Sequence, residues 1–237
     1  MRENPSMKKG GGIGTLQERS LHAKIKELYN TPGSETEVEV DGYVIDVVRG
    51  NQLIEIQTSK FSSIKQKLFK LMKNHPVRLV YPVAHERWVV RQNEDGEELS
   101  RRKSPKKGGF MHIFEELVSI PTFIIHSNFE IEVLLTREEE IRVNDGKGSW
   151  RRKGWSSKDR SLIDIIDRKL FSEPQDFLRL IPDELEEPFT TKALSESLKI
   201  PRRLVQKMTY CMRKMKILKV EGKKGNAILY SKINYSF

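Results

Sequence analysis

Asp46, Glu55 and Gln57 stand in the stretch YVIDVVRGNQLIEIQTSKF, residues 43–61. Two apolar runs flank an Arg-Gly-Asn-Gln turn, yet each run carries an acid that burial alone would reject. Side chains alternate along an extended strand, so Glu55 and Gln57 share a face and Asp46 points with Val44 and Val48. If the runs pair across Arg49–Gln52, Asp46 and Glu55 approach one another. Two carboxylates held close on an apolar sheet repel, and neither ionises stably without a cation beside it. Oxygen donors suit Mg2+ or Mn2+, and Mg2+ takes one or two carboxylates together with waters and a substrate phosphate. A site of that kind stabilises charge on a phosphodiester in transit. The plainer reading is a hairpin whose acids simply face water.

The flanking elements decide between these. TLQERSLHAKIKELY (15–29) has Leu16, Leu21, Ile25 and Leu28 at helical spacing, with Thr15 as cap and Glu18 completing a capping box. EVEVDGYVIDVVRGNQLIEIQT then gives two or three strands broken at Asp-Gly and Arg-Gly-Asn. Phe61, Ile64, Leu68, Leu71 and Met72 form a helical stripe over 62–73, and 75–83 and 86–92 are two short strands. Residues 93–109 are polar and basic and predict a loop or mobile arm, 110–120 a short helix stopped by Pro121, and 122–143 two further strands. The fold class is α/β, a mixed sheet flanked by helices.

The pattern D-x(8)-E-x-Q, laid over a hairpin and followed by a helix, resembles the PD-(D/E)xK (restriction-endonuclease-like) nuclease superfamily in its Gln-substituted form. The resemblance covers roughly residues 15–83. It implies that Asp46 and Glu55 bind the metal, with Glu18 as the extra acid from the preceding helix, and that Gln57 stands where the superfamily usually has Lys. An amide cannot deprotonate anything, so the resemblance directs attention to a lysine on the next helix, Lys65 or Lys67, with Lys60 in the loop as a third choice. His22, one turn beyond Glu18, would face substrate. The run LIEIQTSKFSSIKQKL also resembles an uncharacterised prokaryotic family in which such a segment precedes a basic C-terminal region.

That region is basic here as well. Lys199 to Lys224 holds ten Lys or Arg against one acid, Glu221. Residues 159–171, 189–200 and 201–218 predict three helices and 218–233 a Gly-containing hairpin. Together they resemble a winged helix-turn-helix, in which the third helix enters the major groove of DNA. On that resemblance Arg202, Arg203, Gln206 and Lys207 would meet the duplex, and Lys223 and Lys224 at the wing would reach the flanking phosphates. Trp150 and Trp155 around Arg151–Lys153 are either packing residues or stacking platforms for bases.

Composition bounds the rest. The 237 residues carry a formal charge of +10 and 32% charged side chains, a balance that favours a polyanionic partner. No run of about 18 apolar residues offers a membrane span. MRENPSMKKGGGIG lacks the apolar segment of a secretory signal and reads as a flexible basic arm. One cysteine, Cys211, excludes an internal disulfide and points to a reducing cytoplasm. No Gly-rich phosphate loop and no nucleophile elbow is present. The sequence thus predicts an arm (1–14), a restriction-endonuclease-like domain (15–157) and a winged-helix domain (158–237). The predicted activity is Mg2+- or Mn2+-dependent hydrolysis of double-stranded DNA, with a homodimer favoured for cutting both strands. The alternatives are a DNA-binding or regulatory protein that has lost the chemistry, and a protein-interaction module of a defence or repair complex.

Overall fold

The computed structural model describes residues 20–233. Thr15, Leu16, Glu18 and the basic arm lie outside the described residues. Helix α1 (Ser20–Tyr29) buries Leu21 and Ile25 as expected, but Tyr29 completes the buried face and Leu28 is exposed. A meander of β1 (Ser34–Val40), β2 (Tyr43–Arg49) and β3 (Gln52–Ile56) follows. Its first turn is Asp41-Gly42, both with positive φ, the backbone that a two-residue hairpin with right-handed twist demands. Helix α2 (Lys65–Leu71) crosses over and returns the chain to β4 (Val77–Gln92), which lies parallel to β3. The order so far is helix, three antiparallel strands, helix, parallel strand.

β4 is one strand of 16 residues where the sequence suggests two. A register shift between Ala84 and Glu86 bends it without ending it. Beyond that bulge it forms a hairpin with β5 (Glu98–Lys103), inside the segment expected to be a loop. β5 is exposed along its whole length and so carries no apolar alternation to betray it. Helix α3 (Phe114–Leu117) is short, as expected. Of the two strands expected over 122–143, the first is a 3-10 turn at 123–125, and the second is β6 (Phe129–Asn144), parallel to β4.

The largest departure is residues 159–171. They form most of β7 (Trp155–Phe171), antiparallel to β6 along its length, and not a helix. The expected break at 157/158 therefore falls inside a strand pair. The six-strand path β1-β2-β3-β4-β6-β7, with β5 beside β4, ends only at Phe171. After it come a 3-10 turn (174–180), α4 (Thr191–Leu198), α5 (Arg202–Lys214) and a hairpin of β8 (Leu218–Lys224) and β9 (Ala227–Lys232). Thr190 caps α4 by accepting the Ala193 N–H.

The sheet divides two apolar layers. On one side Leu21 and Ile25 of α1 meet Val47, Ile54, Ile56, Val80 and Leu134. On the other, Leu68 and Leu71 of α2 meet Leu53, Leu79 and Val133, and the same cluster runs on through Phe114 and Phe177 to Val205, Met208 and Met212 of α5. Phe177 is the junction, stacked on Phe171 at 4.2 Å and tilted against Phe114 at 5.6 Å. Among the described residues no helix is long and apolar enough to cross a membrane.

One continuous core implies one unfolding transition. Phe177→Ala should cost about 3–5 kcal/mol, the usual loss for a fully buried Phe. Tryptophan fluorescence (Trp88, Trp150 and Trp155, all on the sheet side) and far-UV circular dichroism should report the same urea midpoint. Two separated transitions would show that the C-terminal helices fold on their own.

Candidate active site

The β2–β3 ladder pairs Val47 with Ile54 and goes no further toward the open end. The next opposed residues are Asp46 and Glu55. Here the strands part, and the Asp46 carboxylate accepts the Ile56 N–H at 2.8 Å, replacing a backbone partner with a side chain. The same Oδ2 lies 3.3 Å from His22 Nε2, one turn into α1. The expected approach of Asp46 and Glu55 is therefore observed, and α1 adds His22 to it.

Glu55 is buried. Its Oε1 accepts from Lys67 Nζ at 2.6 Å, and that ammonium also donates to Val44 O at 2.6 Å. Its Oε2 is buried with no hydrogen-bond partner. Lys65, two residues earlier on α2, is exposed. The choice left open between the two lysines is thus resolved geometrically, because 67 and not 65 faces β3. Gln57 does not join the cluster. Its amide donates to Lys60 O at 2.9 Å and to Ser63 Oγ at 3.0 Å, tying down the 3-10 turn that precedes α2.

The two acids sit in opposite electrostatic states. Burial alone would raise Asp46, but the His22 hydrogen bond and charge, the Ile56 N–H and the Lys67 ammonium outweigh it and hold the carboxyl below its ordinary value. Burial and the neighbouring Asp46 charge push Glu55 up to about 7, against the pull of Lys67 and His22. A proton is thus held on the Glu55 side of the pair near neutrality, and a cation would replace it. The orphaned Oε2 beside a second carboxylate fits a hard divalent ion, which completes its shell with water and phosphate. Among the described residues no group of three or more His, Cys, Asp and Glu converges on one point, so Asp46 and Glu55 would hold the ion as a pair. Glu18, the expected third ligand, lies outside the described residues.

One residue past Gln57 a cavity of about 370 Å³ opens, walled by Thr58, Tyr81, Arg87, Lys106, Lys107 and Arg160 among others. Arg160 reaches across to Thr58 O at 2.9 Å. Beneath the cavity Glu138, fully buried, takes Thr136 Oγ1 at 2.8 Å and Arg87 Nη2 at 3.0 Å. Arg87 and Arg160 did not emerge from the sequence. The available signal was Glu138 and Glu140, acids at alternate positions of TREEEIRV, which on a buried strand need cations opposite. The remaining expected contacts are elsewhere. Arg202, Arg203 and Gln206 are exposed on α5, and Lys223 and Lys224 on the β8 end of the hairpin. Lys207 turns back toward Glu115 O at 3.4 Å. Cys211 is buried, which pushes its thiol up to about 12 and leaves it no role as a nucleophile.

Comparison with known proteins gives a family without a chemistry. A family model described as domain of unknown function DUF8091 matches residues 19–172, which takes in every strand of the large sheet. An "Uncharacterized protein" of Treponema pallidum (strain Nichols) is 32% identical over 186 residues, covering 78% of this chain and 74% of the relative. No solved structure matches the chain.

The raised Glu55 has a consequence for stability. Between its ordinary value of 4.5 and about 7 the folded state binds more protons than the unfolded state. The Glu55 contribution to stability therefore falls as pH rises through that window and is level above it. In urea titrations, the stability of the wild type relative to Glu55→Gln should drop between about pH 4.5 and 7 and stay constant beyond. A rise over that interval would mean that Lys67, and not burial, governs the carboxyl.

Proposed function

The chain belongs to the DUF8091 family, and we propose that it is a divalent-metal-dependent nuclease acting on DNA. The observation that carries this reading is the convergence of Asp46, Glu55 and Lys67 where β2 and β3 part, with one buried Glu55 oxygen left unpartnered. The element order α1-β1-β2-β3-α2-β4, with β4 parallel to β3, supports the resemblance to PD-(D/E)xK nucleases. Lys67 supports it too, since a lysine from the next helix stands beside the second acid where the motif itself has Gln57.

In this reading Asp46 and Glu55 hold Mg2+ or Mn2+, which supplies Lewis-acid stabilisation of charge on the phosphate. Asp46 is kept ionised and oriented by His22 and the Ile56 N–H. Lys67, whose ammonium donates to Glu55 and Val44 O, would orient the attacking water. Arg87, Arg160, Lys106 and Lys107 take the phosphate next to the scissile bond in the adjoining cavity. The C-terminal α4, α5 and hairpin act as a helix-turn-helix with a wing. The backbone bridge Phe189–Tyr230 supports this arrangement, as does the groove shared by Arg202, Gln206, Arg213 and Asn226.

A second reading rests on Gln57. With its amide committed to the loop, the motif position nearest the acids supplies nothing to a water. A DNA-holding protein without hydrolysis then remains, on the same basic surfaces.

Purified protein should nick or degrade duplex DNA only with Mg2+ or Mn2+. Asp46→Ala should abolish both cleavage and calorimetric uptake of the ion. Lys67→Ala should slow cleavage by about 10²-fold, the usual cost of losing one positioning or charge-stabilising group, while Lys65→Ala leaves the rate unchanged. Ion uptake independent of Asp46, or cleavage that survives its loss, removes the nuclease. Asp46-dependent uptake without cleavage favours the second reading.

A further inference from the structure

The sheet carries a second cationic site far from the acids. β4, β6 and β7 run on past the last residue of β3, so that their outer halves, with β5, project as an arm. At its tip is a hollow of about 290 Å³ whose walls are Arg91, Arg102, Arg142, Arg151, Arg152 and Lys153, with the indole of Trp155. No acid lines it. Arg142 is satisfied, with both arms of its guanidinium on Glu140 at 3.0 Å. Arg91 lies over the Trp155 ring at 4.8 Å. Among the described residues none of the other five forms an ion pair with a carboxylate, although Asp145 and Glu139 are near in sequence. Asp145 binds Ser156 and the Lys147 N–H, and Glu139 binds Arg101.

The loop that brings three of these cations together is built tightly. A Cβ on Gly148 would stand 2.2 Å from Trp155 O, so only glycine lets the loop fold back on the strand. The Gly148 N–H then bonds Gly154 O at 3.2 Å. The turn 150–152 and Lys153, at φ +49°, follow with Arg151, Arg152 and Lys153 exposed. Like charges gathered around a hollow repel one another, and an anion spanning several of them relieves that repulsion.

Spacing identifies the anion. On β4, Val80 is opposite Ile56 at the candidate active site, and Arg91 is eleven residues further on. At a strand rise of about 3.3 Å per residue that is at most roughly 36 Å along a strand bent at Ala84–Glu86, close to one turn of a DNA duplex. We propose that the arm tip is a second phosphate-backbone clamp, gripping double-stranded DNA about one helical turn from the active site. It rests on the proposed function for its partner but not for its own contacts. A flexible single strand has no fixed turn to match, so the clamp selects duplex.

The test is binding without chemistry, by fluorescence anisotropy of Asp46→Ala protein in EDTA. A 24-base-pair duplex should bind at least tenfold more tightly than one of 8 base pairs, which at about 3.4 Å per pair is too short to span both sites. The exposed-loop substitution Arg151→Gln/Arg152→Gln/Lys153→Gln should remove that difference. It should also lower the slope of log affinity against log salt by about 2.7 for three lost phosphate contacts. Arg102→Gln on the exposed strand β5 should reproduce the loss in part. Unchanged affinity in the triple variant, or an equal loss on both lengths, overturns the clamp. Tip-dependent binding of phosphatidylserine vesicles with no effect on DNA overturns it in favour of a membrane. If wild-type protein proves unable to cleave yet the length dependence holds, the clamp stands and only the nuclease falls.

Discussion

The parting of β2 from β3 at Asp46 is the constraint on which the site depends. A backbone N–H inside a sheet must find an acceptor, and in a regular ladder Ile56 would find one on β2. Here the acceptor is the Asp46 side chain, so the strands separate while the Ile56 N–H stays satisfied. Separation leaves room beside Glu55, and α2 fills part of it with Lys67. His22 together with that hydrogen bond lowers Asp46, and burial together with the Asp46 charge raises Glu55, so the geometry of the gap and its protonation are linked. A ladder closed through Asp46 would hold two carboxylates at strand spacing with no space for an ion.

Much of this was legible in the sequence because it is local. The Asp46–Glu55 approach follows from a two-residue turn and the period of a strand, and the α2 stripe from Leu68 and Leu71. Less legible were features created by long-range pairing. Residues 159–171 place Leu162, Ile165 and Ile166 at helical intervals, yet they lie in β7. The β6–β7 ladder shifts register at Leu135/Thr136, Arg137/Glu138 and Ile141/Arg142, and each shift turns a two-residue period out of phase. Ile163, Ile166 and Leu170 are left exposed, a pattern no amphipathic helix would predict. β7 is also an edge, and Asp164, Asp167, Arg168 and Lys169 along it discourage further strand addition. For β5, whose one apolar residue, Leu99, is exposed, sequence periodicity has nothing to detect.

The choice between Lys65 and Lys67 shows the same division. Spacing alone places both on one short helix, and their charges are equal. What separates them is which face of α2 meets the sheet, set by Leu68 and Leu71, buried in the same cluster as Phe61. Lys67 precedes Leu68 and is carried down with it to Glu55, whereas Lys65 is left in solvent. Gln57 is likewise diverted by context, since the turn at 61–63 brings Ser63 Oγ and Lys60 O within reach of its amide.

The charge excess acquires meaning only from where the acids are used. On β6, Glu132, Glu138 and Glu140 are buried and paired with Arg78, Arg87, Arg142, Arg160 and Arg168 from three strands. These guanidiniums count toward the formal +10, but their field is largely cancelled within the sheet. The surplus that reaches solvent is therefore carried by cations without a carboxylate partner, at the arm tip and along α5 and its hairpin. The two carboxylates of the candidate site, with Lys67 and His22 beside them, add little to that surplus. On the proposed function, a divalent ion held by Asp46 and Glu55 would add positive charge there, so metal and nucleic acid would favour one another's binding.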